Sequence, residues 1–333
     1  MNKIQKVGII GSGKMGSDIF NYLSDYNFGL VWFTRNPDHT LVLRETFEKK
    51  IKRQLKHGII DQDNFDLRNN YKITHQLSDL SDCDLIIESV IEDQVVKNEL
   101  FIKLEGIVKH SCILASNSSS ILPSLYSHNL KRKNRVAGIH LFYPLVIKNI
   151  TEAIYSTDTD EITRTSIRLF LDTINRFYIE QDEKNAFILN RFLLEIQLKA
   201  FELLKTYQLD YKQLDEISKN VIPDFGLFEM MDHVGHNTMF NSILNYSLMD
   251  KDKRKYKPLL DELSVRIINK EIKTKLFYTE EKSDTFINSE TQLTIEKTLK
   301  DYSQEIFVKY ANDFVTNIYP FKKALHEFCG IIL

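Results

Sequence analysis

KVGIIGSGKMG, residues 6–16, decides the fold. A short apolar run ends in glycine, and Met15, Ile19, Phe20 and Leu23 follow at helical spacing. The run reads as a buried strand and the sequel as an amphipathic helix. Between them, Gly11, Gly13 and Gly16 form G-x-G-x-x-G in the strand–turn–helix setting that the motif requires. The first glycine permits the tight turn. The second lets the backbone approach a pyrophosphate, and the third lets helix and strand pack closely. The helix start then turns free amides and a partial positive charge toward phosphates. Gly11, Gly13, Lys14, Met15 and Gly16 are therefore the residues expected to hold a dinucleotide.

Working outward, residues 30–33, 84–90, 112–115 and 136–142 read as further strands, and 95–108 as a helix with Leu100, Leu104 and Val108 in register. Alternating strands and helices predict a parallel sheet covered by helices. Residues 41–71 interrupt this alternation with two helices broken at Gly58. After the strand-like run 176–180 the texture changes. Helical spacing is continuous over 187–204 and recurs near 211–220, 227–231, 238–248, 259–268 and 292–318. The expected fold class is α/β: an N-terminal Rossmann-type doubly wound sheet followed by an all-α C-terminal domain. The first domain is expected at 1–183, with a helical clasp at about 41–70. The second is expected at 184–333, for substrate binding and dimerisation, with an atypical extension from about 283.

Composition narrows the function. The 333 residues are 43% hydrophobic and 27% charged, with a formal net charge of −2. That balance is globular and offers no global attraction to nucleic acid or to an anionic membrane. No stretch approaches the 18 apolar residues of a membrane span, and the N-terminus lacks the apolar core of a signal peptide. Cys83, Cys112 and Cys329 are far apart and make no metal spacing, so buried free thiols in a reducing, cytoplasmic setting are expected. No metal is expected.

The stretch VWFTRNPD, residues 31–38, carries the nucleotide choice. A dinucleotide-binding chain usually ends its second strand with an acid that bonds the ribose of NAD and repels a 2′-phosphate. Thr34 stands there, with Arg35 next. A hydroxyl and a guanidinium remove the repulsion and offer a bidentate phosphate clamp. NADP(H) is favoured and NAD(H) is possible, with Arg35 then in solvent or on the adenine. Downstream, ASNSSS (115–120) follows one strand, and His140 lies near the end of another. A histidine there suits a general base, or is a hydrogen-bonded structural residue. Glu152, twelve residues on, could fix its tautomer or lie on the surface. The basic run Lys49, Lys50, Lys52, Arg53 and Lys56 is a solvated helix face or a grip on a phosphorylated ligand.

Seven ordered blocks resemble the 3-hydroxyacyl-CoA dehydrogenases: VGIIGSGKMG, LKHGIIDQDNFD, DLIIESVIEDQVVKNELF, ASNSSSI, GIHLFYP, FILNR and FGLFEMMDHVGHNT. The resemblance implies a reaction, the interconversion of 3-hydroxyacyl and 3-oxoacyl thioesters by hydride transfer with a nicotinamide. It implies that His140 is the general acid/base and that Glu152 pairs with it. Ser119 and Asn190 would bind the reacting oxygen. Glu92, Lys97 and Asn117 would lie along the cofactor, and the clasp, with Lys49, Arg53 and Lys56, would grip the coenzyme A arm. An acyl-CoA or acyl-carrier-protein substrate and a homodimer through the helical domain are implied as well. Other readings are a dehydrogenase of a free hydroxy acid or sugar acid, and a catalytically reduced binding protein. Three departures stand out. Tyr143 replaces the asparagine of the family's HFFNP block, Asn185-Ala186 replaces Pro-Gly before FILNR, and IKTKLFYTEE (272–281) lacks the family's glycines.

Overall fold

The structure, a computed structural model, describes residues 3–268, 277, 287–314 and 318–333. The chain divides into two compact units, Met1–Ala186 and Phe187–Leu333.

In the first unit, β1 (Lys6–Ile10), α1 (Lys14–Leu23), β2 (Gly29–Phe33), α2 (Pro37–Lys56), α3 (Gln62–Arg68) and β3 (Tyr71–Thr74) come first. They are followed by β4 (Leu85–Glu88), α4 (Gln94–Glu105), β5 (Ile113–Ser116), α5 (Pro123–Ser127), β6 (Val136–Leu141), β7 (Ile150–Tyr155), α6 (Glu161–Thr173) and β8 (Phe177–Asp182). The strands form one eight-stranded sheet in the order β3-β2-β1-β4-β5-β6-β7-β8. Neighbours are parallel except β6 and β7, which run antiparallel. The chain leaves β1 toward β2 on one side and returns to β4 on the other. The strand order reverses there, and the crevice beyond the carboxyl ends of β1 and β4 is where such folds bind ligands.

Strand residues alternate between two cores, as the two-residue period dictates. Ile9, Trp32 and Ile87 join Phe20, Phe47 and Phe170 on one face; Ile10, Val31 and Ile86 join Phe101, Leu104 and Tyr126 on the other. Helices cover both faces, which is why the central strands are apolar runs rather than alternating ones. Phe20 stacks on Trp32 at 4.5 Å and meets Phe47 edge-on at 4.9 Å. Burying each such ring contributes about 1.5–3 kcal/mol.

The second unit is all helical: α7 (Ile188–Tyr207), α8 (Tyr211–Ser218), α9 (Leu227–Val234), α10 (His236–Met249), α11 (Lys257–Ile268), α12 (Ser289–Phe314) and α13 (Ile318–Cys329). Helix α7 is buried around most of its circumference, with Phe192 against Tyr310 of α12 and Phe321 of α13. A capping box of Asp210 and Gln213 starts α8. Buried Asp215 accepts hydrogen bonds from the amides of Phe228 and Glu229 at the start of α9.

Several features depart from the sequence reading. Strands β3 and β7 and helix α6 were not anticipated, and the β6–β7 pair breaks the parallel pattern. Strand β7 is ITEAIY, where threonine and glutamate interrupt the apolar run, yet all six residues are buried. Helix α2 starts at Pro37, earlier than expected, because Asn36 caps it by accepting from the Asp38 amide. The break at Gly58 is present, at φ +66°. Of the segment 272–281, all but Phe277 lies outside the described residues, as does the start of the extension at 283–286.

Candidate active site

The glycine loop has the shape that its spacing implied. Gly11 has φ +115°, and a Cβ there would lie 2.2 Å from the Ser89 carbonyl oxygen. A Cβ on Gly16 would lie 2.1 Å from the Gly11 carbonyl, so the α1–β1 contact admits no side chain. At Gly13 a Cβ would meet nothing within 4 Å. That open side, beside a helix start whose amides have no side-chain cap, fits the close approach of a pyrophosphate. Lys14 reaches out of this turn, its Nζ 3.9 Å from the centre of the Tyr143 ring. Met15 packs partly against the core.

Thr34 is buried at the end of β2, and its hydroxyl lies 3.2 Å from Ser12 Oγ. Ser12 Oγ is also 3.2 Å from His39 Nδ1. Arg35 is exposed. His39 escaped the sequence reading. It sits in the first turn of a helix that begins four residues earlier than spacing suggested.

Beyond β4 and β5 lies a buried ionic cluster. Lys97 is fully buried, its Nζ 2.7 Å and 3.0 Å from the two Glu88 oxygens and 3.5 Å from Glu92 Oε2. Ser116 Oγ donates to Glu88 at 2.5 Å. Glu92 Oε1 accepts from the hydroxyls of Ser118 and Ser120 at 2.6 Å and 2.8 Å, and from the amides of Ser119 and Ser120 at 3.2 Å and 3.0 Å. Burial raises the Glu92 carboxyl, but Lys97 and these hydrogen bonds outweigh it and hold it below the usual carboxylate range. Lys97 therefore meets Glu92, which holds the serine loop, from inside the protein. Glu88, which the sequence reading passed over as part of an apolar strand, anchors it. Asn117 joins this cluster to β6, its Oδ1 accepting from the Leu141 amide at 2.9 Å.

His140 lies directly opposite Glu152 in the antiparallel β6–β7 ladder. Its Nδ1 is 2.7 Å from Glu152 Oε2. Glu152 is fully buried and not on the surface, and its Oε1 accepts from Gln181 Nε2 at 2.9 Å. Antiparallel pairing explains how two residues twelve apart meet.

The basic run of α2 is partly neutralised by its own helix. Lys49 pairs with Glu45 at 3.3 Å, Lys52 with Glu48 at 3.4 Å, and Lys50 donates to Asn21 at 2.7 Å. Arg53 and Lys56 are exposed in the last turn, without a carboxylate partner among the described residues. Asn190 belongs to the second unit. It lies in the first turn of α7, its Nδ2 donating to Tyr246 Oη at 3.2 Å. Just before it, Phe187 takes a left-handed conformation at φ +58°.

A glycine loop at the switch point of a doubly wound sheet defines a dinucleotide-binding protein. Residues 6–184 match the family described as 3-hydroxyacyl-CoA dehydrogenase, NAD binding domain, and residues 187–279 match its C-terminal domain. The chain belongs to the 3-hydroxyacyl-CoA dehydrogenase family, a family of oxidoreductases, and its first unit binds a nicotinamide cofactor. It is similar to the 3-hydroxybutyryl-CoA dehydrogenase of Bradyrhizobium diazoefficiens, at 27% identity over 259 residues, 77% of this chain and 87% of that one. The human mitochondrial hydroxyacyl-coenzyme A dehydrogenase is 26% identical, covering 77% of this chain and 84% of its own. The crystal structure of Mycobacterium tuberculosis FadB2 superposes with a TM-score of 0.71 at 26% identity, covering 79% of this chain and 94% of that one. Among the described residues, no helix is long and apolar enough to cross a membrane.

Proposed function

We propose that the protein interconverts a 3-hydroxyacyl and a 3-oxoacyl thioester, with His140 as the general acid/base. The observation that carries this reading is the buried His140–Glu152 pair on adjacent strands. With Nδ1 engaged by Glu152, proton exchange with the substrate hydroxyl falls to Nε2. During oxidation the hydroxyl proton passes to Nε2, and the imidazolium formed is stabilised by the Glu152 carboxylate beside it. During reduction the same nitrogen returns the proton to the forming hydroxyl. A bound nicotinamide would supply the acceptor or donor of the hydride that leaves or joins the carbon bearing this oxygen. Ser119 would hold that oxygen, its own loop being held by Glu92. Asn190 enters this reading on the family resemblance alone.

For the cofactor, Gly11, Gly13, Lys14, Met15 and Gly16 would hold the pyrophosphate, and Thr34 and Arg35 the ribose end, with NADP(H) preferred over NAD(H). Glu92 and Asn117 would line the nicotinamide side, and Lys97 would act through Glu92. Arg53 and Lys56 would take the phosphates of a coenzyme A arm, with Lys49 nearby. The family match favours this over a dehydrogenase of free hydroxy or sugar acids.

His140→Gln tests the reading. Loss of general acid/base catalysis lowers turnover by about 10²–10⁴-fold. Cofactor affinity, read by fluorescence titration with the reduced nicotinamide, should not change. Wild-type turnover of acetoacetyl-CoA in this variant would exclude His140 from the chemistry.

A further inference from the structure

Three consecutive strands put three polar side chains in one buried row: His140 on β6, Glu152 on β7 and Gln181 on β8. Glu152 sits opposite His140 in the β6–β7 ladder. On the other side β8 runs parallel to β7, with Ile179 opposite Glu152 and Gln181 two residues further along. Residues two apart on a strand share a face, so the Gln181 amide can reach back to Glu152. Its Nε2 donates to Oε1 at 2.9 Å, while Oε2 meets His140 Nδ1 at 2.7 Å. Gln181 is itself buried, on a strand whose neighbouring residues Glu180 and Asp182 are exposed.

A carboxylate in this setting needs donors on both oxygens, because burial without them is costly. A single donor would leave the group free to rotate about its terminal bond and to present either oxygen to the imidazole. Donors on opposite oxygens remove that freedom. An amide suits the second place better than a lysine or arginine would. It donates without adding a charge that would compete with the imidazolium for the same carboxylate.

We infer that Gln181 is a positioning residue of the reaction, the third member of a His140–Glu152–Gln181 relay. This inference rests on the reading of His140 and Glu152 as the acid/base pair. Gln181 touches neither substrate nor cofactor in this scheme; it sets the orientation of Glu152, and Glu152 sets that of His140.

The test is a double-mutant cycle on the full chain, assayed with acetoacetyl-CoA and reduced nicotinamide. Gln181→Met keeps the length of the side chain and removes the donor. It should lower kcat roughly 10- to 100-fold, the range of a hydrogen bond to a charged group, with KM and cofactor affinity nearly unchanged. In a Glu152→Gln background the same substitution should cost no more than about twofold, since the carboxylate that it orients is gone. Equal losses in both backgrounds, or a wild-type kcat in Gln181→Met, would overturn the inference and leave the proposed function standing. Wild-type turnover in Glu152→Gln would overturn the reading of His140 and Glu152 as the acid/base pair, and this inference with it. Should Gln181→Met not fold, judged by its melting curve, Gln181→Asn serves instead. It keeps the amide but withdraws it by one methylene, and the same cycle applies.

Discussion

At the scale of single side chains, the proposed choice of nucleotide rests on Thr34 and Arg35. Thr34 is buried and tied to Ser12, and Ser12 to His39, so the floor of this corner is made of hydroxyls and an imidazole. Neither group repels a phosphate. Arg35 stands exposed beside them, where a guanidinium can meet phosphate oxygens with two parallel hydrogen bonds. Arg35→Asp should reverse the preference, weakening NADPH by at least about tenfold relative to NADH. An unchanged NADPH-to-NADH ratio in titration would show that Arg35 does not read the 2′-phosphate. How much of this corner was legible follows from chain order. Thr34 and Arg35 could be counted from the glycine loop. His39 could not, because its approach to Ser12 depends on where α2 begins, and one asparagine cap moved that start.

At the scale of elements, the same contrast holds for the strands. The loop of residues 11–16 was legible because three glycines at fixed spacing answer to three local demands. Strand β7 was not, because its sequence carries a glutamate that makes sense only beside His140 and Gln181 on neighbouring strands. Glu88 was hidden in the same way, and Lys97, expected along the cofactor, was not expected to pair with it. A glutamate closing an apolar strand and a lysine in a helix look like surface residues until the β4–α4 turn brings them together. Removing one partner of a buried ion pair leaves an uncompensated charge and costs about 3–5 kcal/mol. Lys97→Met should therefore lower stability by that amount in urea unfolding followed by circular dichroism. Glu88→Gln/Lys97→Met should recover part of the loss. A Lys97→Met variant within about 0.5 kcal/mol of wild type would mean that the pair contributes little to the fold.

At the scale of the molecule, a net charge of −2 hides a local excess of positive charge at the end of α2. Glu45 and Glu48 answer two of the lysines, and Arg53 and Lys56 are the pair proposed to take the coenzyme A phosphates. The doubled substitution Arg53→Glu/Lys56→Glu should raise the KM for acetoacetyl-CoA several-fold. The effect should shrink as salt is added, because exposed charges are screened within about 10 Å at 0.1 M. A truncated thioester of N-acetylcysteamine, which lacks the phosphates, should show no change. Equal effects on both substrates would place the damage elsewhere. The two-unit architecture was legible because the periodicity of the sequence switches from alternation to continuous helix. The antiparallel β6–β7 connection was not, because β7 was not legible as a strand; with its range known, the eight residues 142–149 are too few for a parallel crossover.

Trp32 is the chain's single tryptophan. Its indole Nε1 donates to the Gly11 carbonyl at 2.7 Å, and its ring stacks on Phe20 of α1. The protein thus carries one indole fluorophore, hydrogen-bonded to the turn that would cradle the nucleotide. Its emission reports on that turn without a label, and a bound reduced nicotinamide, which absorbs where indole emits, would quench it by energy transfer.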